Sequence, residues 1–200
     1  ITLGLGLVVG LAAGFFGGAV DNVMMRVTDV FIAFPIFVLL ITVVAIYGST
    51  LLLLTVFLGL SAWPQIARLV RAEVLSLTAR DFVLGARAIG ATSARVLFVH
   101  ILPNVVPILI VAGTLRIGIV ILIEAGLSYF GLGVPPPTAT WGGMVSDGQT
   151  YLGSAWWVSL FPGLLIVVTV IAYNVLGDGL REVLDPRRSV RARIVATDAR

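Results

Sequence analysis

Few side chains in this 200-residue chain could do chemistry, and their spacing excludes most of it. His100 is the single histidine, with no cysteine and no second histidine to share a metal, so no metal site is expected and its role reads as structural. Ser128 stands in a glycine-rich stretch that could present a nucleophile, but the G-x-S-x-G pattern is absent. All thirteen basic residues are arginine. Without lysine there is no G-x-x-x-x-G-K-[ST] phosphate loop, so any ATP used must bind on another chain. What remains is charge placed in unusual surroundings. Arg116 and Glu124 lie within a long apolar run, and a cluster of arginines brackets the stretch from Asp81 to Pro103.

The elements that must position these charges are membrane helices. The chain is 59% hydrophobic and 12% charged, against about 25% charged in ordinary soluble domains. Several runs approach the roughly 20 apolar residues that cross a hydrocarbon core. The pattern predicts an all-α, polytopic transmembrane bundle with spans at about 1–18, 30–47, 51–67, 103–130 and 155–176. Between them fall a polar break from Asp21 to Asp29, a turn at Gly48-Ser-Thr50, an insert at 68–102, a glycine- and proline-rich loop at 131–154, and a tail at 177–200. Gly10 and Gly14 form a G-x-x-x-G that permits close helix approach, though glycine is also simply frequent in membrane helices. The net charge of +3 is no nucleic-acid footprint, because the arginines gather at the ends of apolar runs. With five spans, Arg26, the cluster from Arg68 to Arg95 and the tail share one side, and the loops at Gly48 and 131–154 hold no basic residue. By the positive-inside rule the arginine side is cytoplasmic and the chain end is too. The first residue then lies on the outer side, from which at least one upstream span is expected.

The insert reads as two short helices lying along the membrane. Thr78 or Asp81 could cap the first, with Phe82, Ala86 and Ile89 on one face and Arg80 and Arg87 on another. Gly90 suits a stop, and Thr92 or Ser93 a restart leading to Pro103. Periodicity alone leaves two readings open, a helix resting on lipid headgroups or a docking element for another protein.

The run Gly85-Ala-Arg-Ala-Ile-Gly90, then nine residues, then His100-Ile-Leu-Pro103 resembles the cytoplasmic "EAA" loop of bacterial ATP-binding-cassette (ABC) importer permeases. That pattern is Glu-Ala-Ala, three residues, Gly, nine residues, Ile-x-Leu-Pro. Ala86, Gly90, Leu102 and Pro103 match it, while Leu84 stands for its glutamate, Gly85 for its first alanine and His100 for its isoleucine. Further stretches are similar to the dipeptide, oligopeptide and nickel permease branch, in its second-permease type. They are Asp29-Val-Phe-Ile-Ala-Phe-Pro35, Glu124-Ala-Gly-Leu-Ser-Tyr-Phe-Gly-Leu-Gly133, Trp141-Gly142, Phe161-Pro-Gly163 and Leu184-Asp-Pro186.

The resemblance implies a non-catalytic permease subunit of an ATP-driven importer of di- or oligopeptides, nickel or a similar small solute. It implies a homologous second permease, two cytoplasmic ATPase subunits that bind ATP and magnesium, an external solute-binding protein, and no cofactor on this chain. Asp81, Phe82, Ala86, Arg87, Gly90, Leu102 and Pro103 would dock the ATPase. Closure of the ATPase pair would move the insert and switch the helices between outward- and inward-facing states.

Arg116 and Glu124 are the candidate lining of a translocation path. Arg116 lies about 20 Å along a helix from Pro103, well inside the hydrocarbon. Either it meets a solute carboxylate, or it satisfies backbone carbonyls at a helix interface. Glu124 is about 12 Å further on and some 80° round the helix, so the two are not expected to pair. Asp178, Arg181, Glu182 and Asp185 read most simply as a solvated helix end. Two other classes make demands of their own: a secondary transporter wants a mid-depth acid, and an intramembrane serine protease wants a histidine on the same side of the membrane as Ser128.

Overall fold

The computed structural model describes residues 1–184, and among them all regular structure is helical. Asp185, Pro186 and the remaining tail arginines lie outside the described residues. The centre of the fold is a pair of parallel helices, α1 (Thr2–Phe16) and α5 (Trp63–Thr78). Gly6, Gly10 and Gly14 face Ile66, Val70 and Val74 in that order. A Cβ on Gly10 would stand 2.6 Å from the Ala67 carbonyl oxygen, so only glycine lets the backbones come this close. The G-x-x-x-G at Gly10 and Gly14 is therefore a packing surface, and Gly6 extends it by a turn.

The stretch from Asp21 to Asp29 is not a break. It lies inside α2 (Gly18–Ala33), and both of its acids pair with arginines of α5. Asp21 accepts from Arg71 through both oxygens, and Asp29 pairs with Arg68 at 2.5 Å. The helix is interrupted at Pro35, whose missing N–H and bulky ring disfavour continuation of the preceding turn. Phe34 before it takes an extended backbone, and α3 (Ile36–Tyr47) leaves at 73° to α2.

The span expected at 51–67 also runs on. Helix α4 (Leu51–Ser61), capped by the Thr50 hydroxyl on the Leu53 N–H, continues through Trp63-Pro64 into α5 and ends at Thr78. Ile66, Ala67, Val70, Val74 and Leu77 keep one apolar face buried, which carries the helix through the arginines that lie off it.

At its other boundary the expected insert shrinks again. Helix α6 (Asp81–Ala88) is followed by a tight turn, and α7 (Ser93–Tyr129) then runs unbroken for 37 residues. The second surface helix expected before Pro103 is thus the first part of α7. A widened π turn at Val96–Ile101 comes just before Pro103, where the proline ring would otherwise clash with the preceding α-helical turn. Only 79–92 separates the two long helices.

At the opposite end, 131–154 is not all loop, since α8 (Trp141–Gly148) is wedged between α7 and α9 (Trp157–Leu184). A Cβ on Gly142 would stand 2.3 Å from the Ala125 carbonyl oxygen, and one on Gly148 2.2 Å from the Ser159 hydroxyl. Helix α9 continues beyond the expected 176, so Asp178, Arg181 and Glu182 belong to it.

By length and apolarity, α4–α5, α7 and α9 can each cross a membrane, and the bent α2–α3 pair gives a fourth span. Helix α1, at 15 residues, is shorter than this measure, so the five-span count is not reached. Two apolar clusters mark the two ends. One holds Val70, Val74, Leu77, Val83, Val96 and Ile101 near the insert; the other holds Leu40, Val44, Leu54 and Leu127 near the 131–154 segment.

Candidate functional site

Helix α6 is held by two residues and presents the others. Val83 is fully buried and Ala86 nearly so, and Val83 joins the cluster formed by α5 and α7. Phe82, Leu84 and Ile89 point outward, with Ile89 87% exposed. The buried edge is thus Val83 with Ala86, while Phe82, Ala86 and Ile89 share one face, as expected, and line a common groove. The first helical residue is Asp81, with Arg80 as N-cap and no side-chain cap, so neither Thr78 nor Asp81 caps the helix. As an acid in the first turn, Asp81 still suits the positive end of the helix dipole.

The turn after α6 has a defined cause. Gly90 sits at φ +85°, a conformation that disfavours any residue with a Cβ. Its N–H donates to the Arg87 carbonyl, and the Ala91 N–H donates to the Ala86 carbonyl, which together make a Schellman stop. The Thr92 hydroxyl then accepts from the Arg95 N–H and opens α7. Stop and restart fall where the sequence placed them.

Beside this turn is a groove of about 400 Å³, lined by Phe82, Ala86, Ile89, Gly90, Arg95 and His100. Phe82 and His100 rings lie 6.5 Å apart, centroid to centroid. The Arg87 guanidinium sits 5.8 Å over the Phe15 ring, tying α6 to the end of α1. Of the expected docking residues, Phe82, Ala86 and Gly90 share this groove and Arg87 lies outside it. Asp81, Leu102 and Pro103 do not line it. Leu102 is half-buried and Pro103 exposed on α7. Val83 and Ile89 were missing from the expected set; the period of α6 carries the signal for Val83 only once the buried direction is known.

A second, larger cavity of about 590 Å³ runs between α5 and α7 and reaches the end of α9. Its polar lining is Glu73, Ser76, Arg80, Asn104 and Arg181, so Arg181 is more than a solvated helix end. Phe82 lines this cavity as well as the groove, and so stands in the wall between them. Toward mid-helix the lining stops at Leu69 and Leu115.

The residue after Leu115 is Arg116. It donates from Nη1 to the Gln65 side-chain oxygen of α5, not to backbone carbonyls, and its Nε is buried without a partner. Glu124 does not pair with it. That carboxylate accepts from the Ser128 hydroxyl at 2.6 Å. Ser128 and His100 belong to one helix and are separated by about 40 Å of rise, so no nucleophile and base come together.

Comparison with known proteins gives these features a context. Residues 6–190 match the family model described as binding-protein-dependent transport system inner membrane component. The chain is 43% identical over 186 residues to the nickel transport system permease protein NikC of Escherichia coli, covering 93% of this chain and 67% of that one. It is 41% identical over 182 residues to the dipeptide transport system permease protein DppC of Alkalihalophilus pseudofirmus, covering 91% and 60%. It is 39% identical over 183 residues to the oligopeptide transport system permease protein OppC of Bacillus subtilis, covering 92% and 60%. The chain thus spans roughly three fifths to two thirds of the length of the curated relatives it matches.

Proposed function

The chain belongs to the family of binding-protein-dependent transport system inner membrane components, and on that premise we propose that it is the permease subunit of an ATP-driven importer. Its cargo is a di- or oligopeptide, nickel or a similar small solute. Its partners are a homologous second permease, two ATPase subunits that carry ATP and magnesium, an external solute-binding protein and the surrounding lipid. The insert end is cytoplasmic, because Arg80, Arg87, Arg95 and Arg181 gather there and 131–154 holds no basic residue. The C-terminus lies on the same side.

The observation that carries the reading is the build of α6. Val83 and Ala86 fix it to the ends of α5 and α7, while Phe82, Leu84 and Ile89 are left bare beside exposed arginines. A segment resting on lipid needs no such anchoring from two long helices. A lever between an ATPase and a bundle does. In this role Asp81, Phe82 and Arg87 touch the ATPase, Ala86 and Gly90 shape the groove, and Leu102 with Pro103 hold α7 in register behind it. The α5–α7 cavity is this subunit's share of the path, and Phe82 passes movement of the insert to it.

A carrier driven by an ion gradient would need a titratable acid at mid-depth. Glu124 sits instead near the end of α7, held by Ser128. The test is deletion of 81–95 in the complete transporter. Membrane insertion should persist and ATPase association should be lost; an ATPase that still copurifies would contradict the docking role.

A further inference from the structure

We infer that Arg116 and Gln65 form a reader for a free carboxylate on the transported solute, an inference that rests on the permease reading above. Both residues lie well inside apolar helices, Gln65 midway along the 28-residue Leu51–Thr78 and Arg116 about 13 residues from the far end of the 37-residue α7. This is the depth where a charge is costliest. The chain shows how it neutralises other arginines: Arg68 is paired with Asp29 and Arg71 with Asp21. Among the described residues no carboxylate is paired with Arg116. Its partner is the neutral Gln65 oxygen.

A guanidinium offers five N–H donors in a planar fork that fits a carboxylate through two of them. Here one interaction goes to an exposed glutamine, and the buried Nε is left with nothing. An amide oxygen can occupy the place of one carboxylate oxygen but cannot satisfy the fork. The bridge also lies just beyond the α5–α7 cavity, whose lining ends at Leu69, one turn from Gln65, and at Ala112 and Leu115, within a turn of Arg116. A solute bearing a carboxylate would displace Gln65, take the fork, and supply the missing counter-charge while it passes. The chemical class that fits is a peptide with a free C-terminus or a metal held by a carboxylate chelator. A neutral sugar does not fit.

The experiment uses the complete importer in proteoliposomes, with three probes: a labelled dipeptide, nickel held by histidine, and maltose. Wild type should take up at least one carboxylate-bearing probe in an ATP-dependent way. Arg116→Gln should cut that uptake by about tenfold or more, the scale of one lost hydrogen bond to a charged group. The deciding pair is at Gln65. Gln65→Glu places a permanent carboxylate on the fork and should block uptake although the bridge becomes stronger. Gln65→Ala removes the bridge and should leave most of the uptake. If the bridge is only structural, the two outcomes reverse, and that reversal overturns the inference. Wild-type uptake of maltose alone, or an acid of the second permease cross-linked to position 116, overturns it as well while leaving the permease reading intact. ATP-dependent uptake of no probe counts against both. Assembly of all subunits, followed by copurification, separates loss of reading from loss of folding.

Discussion

Two turns of the same kind flank α7, one ending α6 just before it and one ending α7 itself, and they are put to opposite uses. Gly90 and Gly131 both take positive φ and both sit in Schellman stops, with the Ala91 N–H on Ala86 in one and the Leu132 N–H on Leu127 in the other. Around Gly131 the helix backbones close on one another, although Phe130, Tyr151 and Leu152 stay exposed. Gly142 and Gly148 lie against neighbouring helices, Ser146 and Ser159 bond backbone carbonyls across helices, and Ser49 reaches the Gly133 carbonyl. Around Gly90 the structure opens into a groove, and apolar side chains are left exposed on a helix held by two residues. A close-packed end resists deformation, because its backbone contacts leave no slack. A lightly anchored helix can move as a unit and carry its load with it. On the proposed function, the difference suits the α6 end to movement and the α8 end to holding still.

The largest effect should come from the anchor. Val83→Asp places an unpaired charge in the insert cluster, at a cost of about 3–5 kcal/mol. It should release α6 and abolish ATPase association while protease protection of 131–154 persists; loss of protection at both ends together would break the comparison. Next comes the closed end. Gly142→Val meets the Ala125 backbone, which cannot give way, at a cost near the top of the about 1–3 kcal/mol typical of overpacking. Thermal unfolding should fall while the ATPase still copurifies.

Smaller effects sharpen the picture. Ile89→Asp should leave unfolding within about 0.5 kcal/mol, as for other exposed positions, yet weaken ATPase association by about tenfold or more if Ile89 is an anchor. Asp21→Asn removes a partly exposed ion pair and should cost at most about 1 kcal/mol. Association at either end should be unchanged, as read by copurification.

What the sequence made legible follows from how local each cause is. The all-α membrane class, the family resemblance, the Gly90 stop and the Thr92 restart rest on runs and turns of a few residues, and the structure and family match agree with them. The non-local causes stayed hidden. Asp21 and Asp29 read as a polar break because Arg71 and Arg68 lie far along the chain. Pro103 read as a helix start because nothing local announces the π turn that accommodates it. Helix α8 was lost in a stretch rich in glycine, where the residues that break helices are also those that let helices touch. Arg116 was visible as an anomaly, but its partner Gln65 was not, since only the packing of α5 on α7 brings them together.

With the insert end cytoplasmic, as proposed, the α6 end is the one to meet the ATPase, and the α8 end, at the opposite end of α7, is the one open to an external solute-binding protein. These 200 residues hold no cysteine, so a single introduced one is unique among them as a cross-linking site. Ile89→Cys and Met144→Cys are both at exposed positions on opposite ends. The expected result is that Ile89→Cys cross-links to the ATPase, more or less strongly as nucleotide is added, and Met144→Cys only to the binding protein. Cross-linking of Ile89→Cys to the binding protein, or its labelling from outside the cell by an impermeant reagent, would contradict the account.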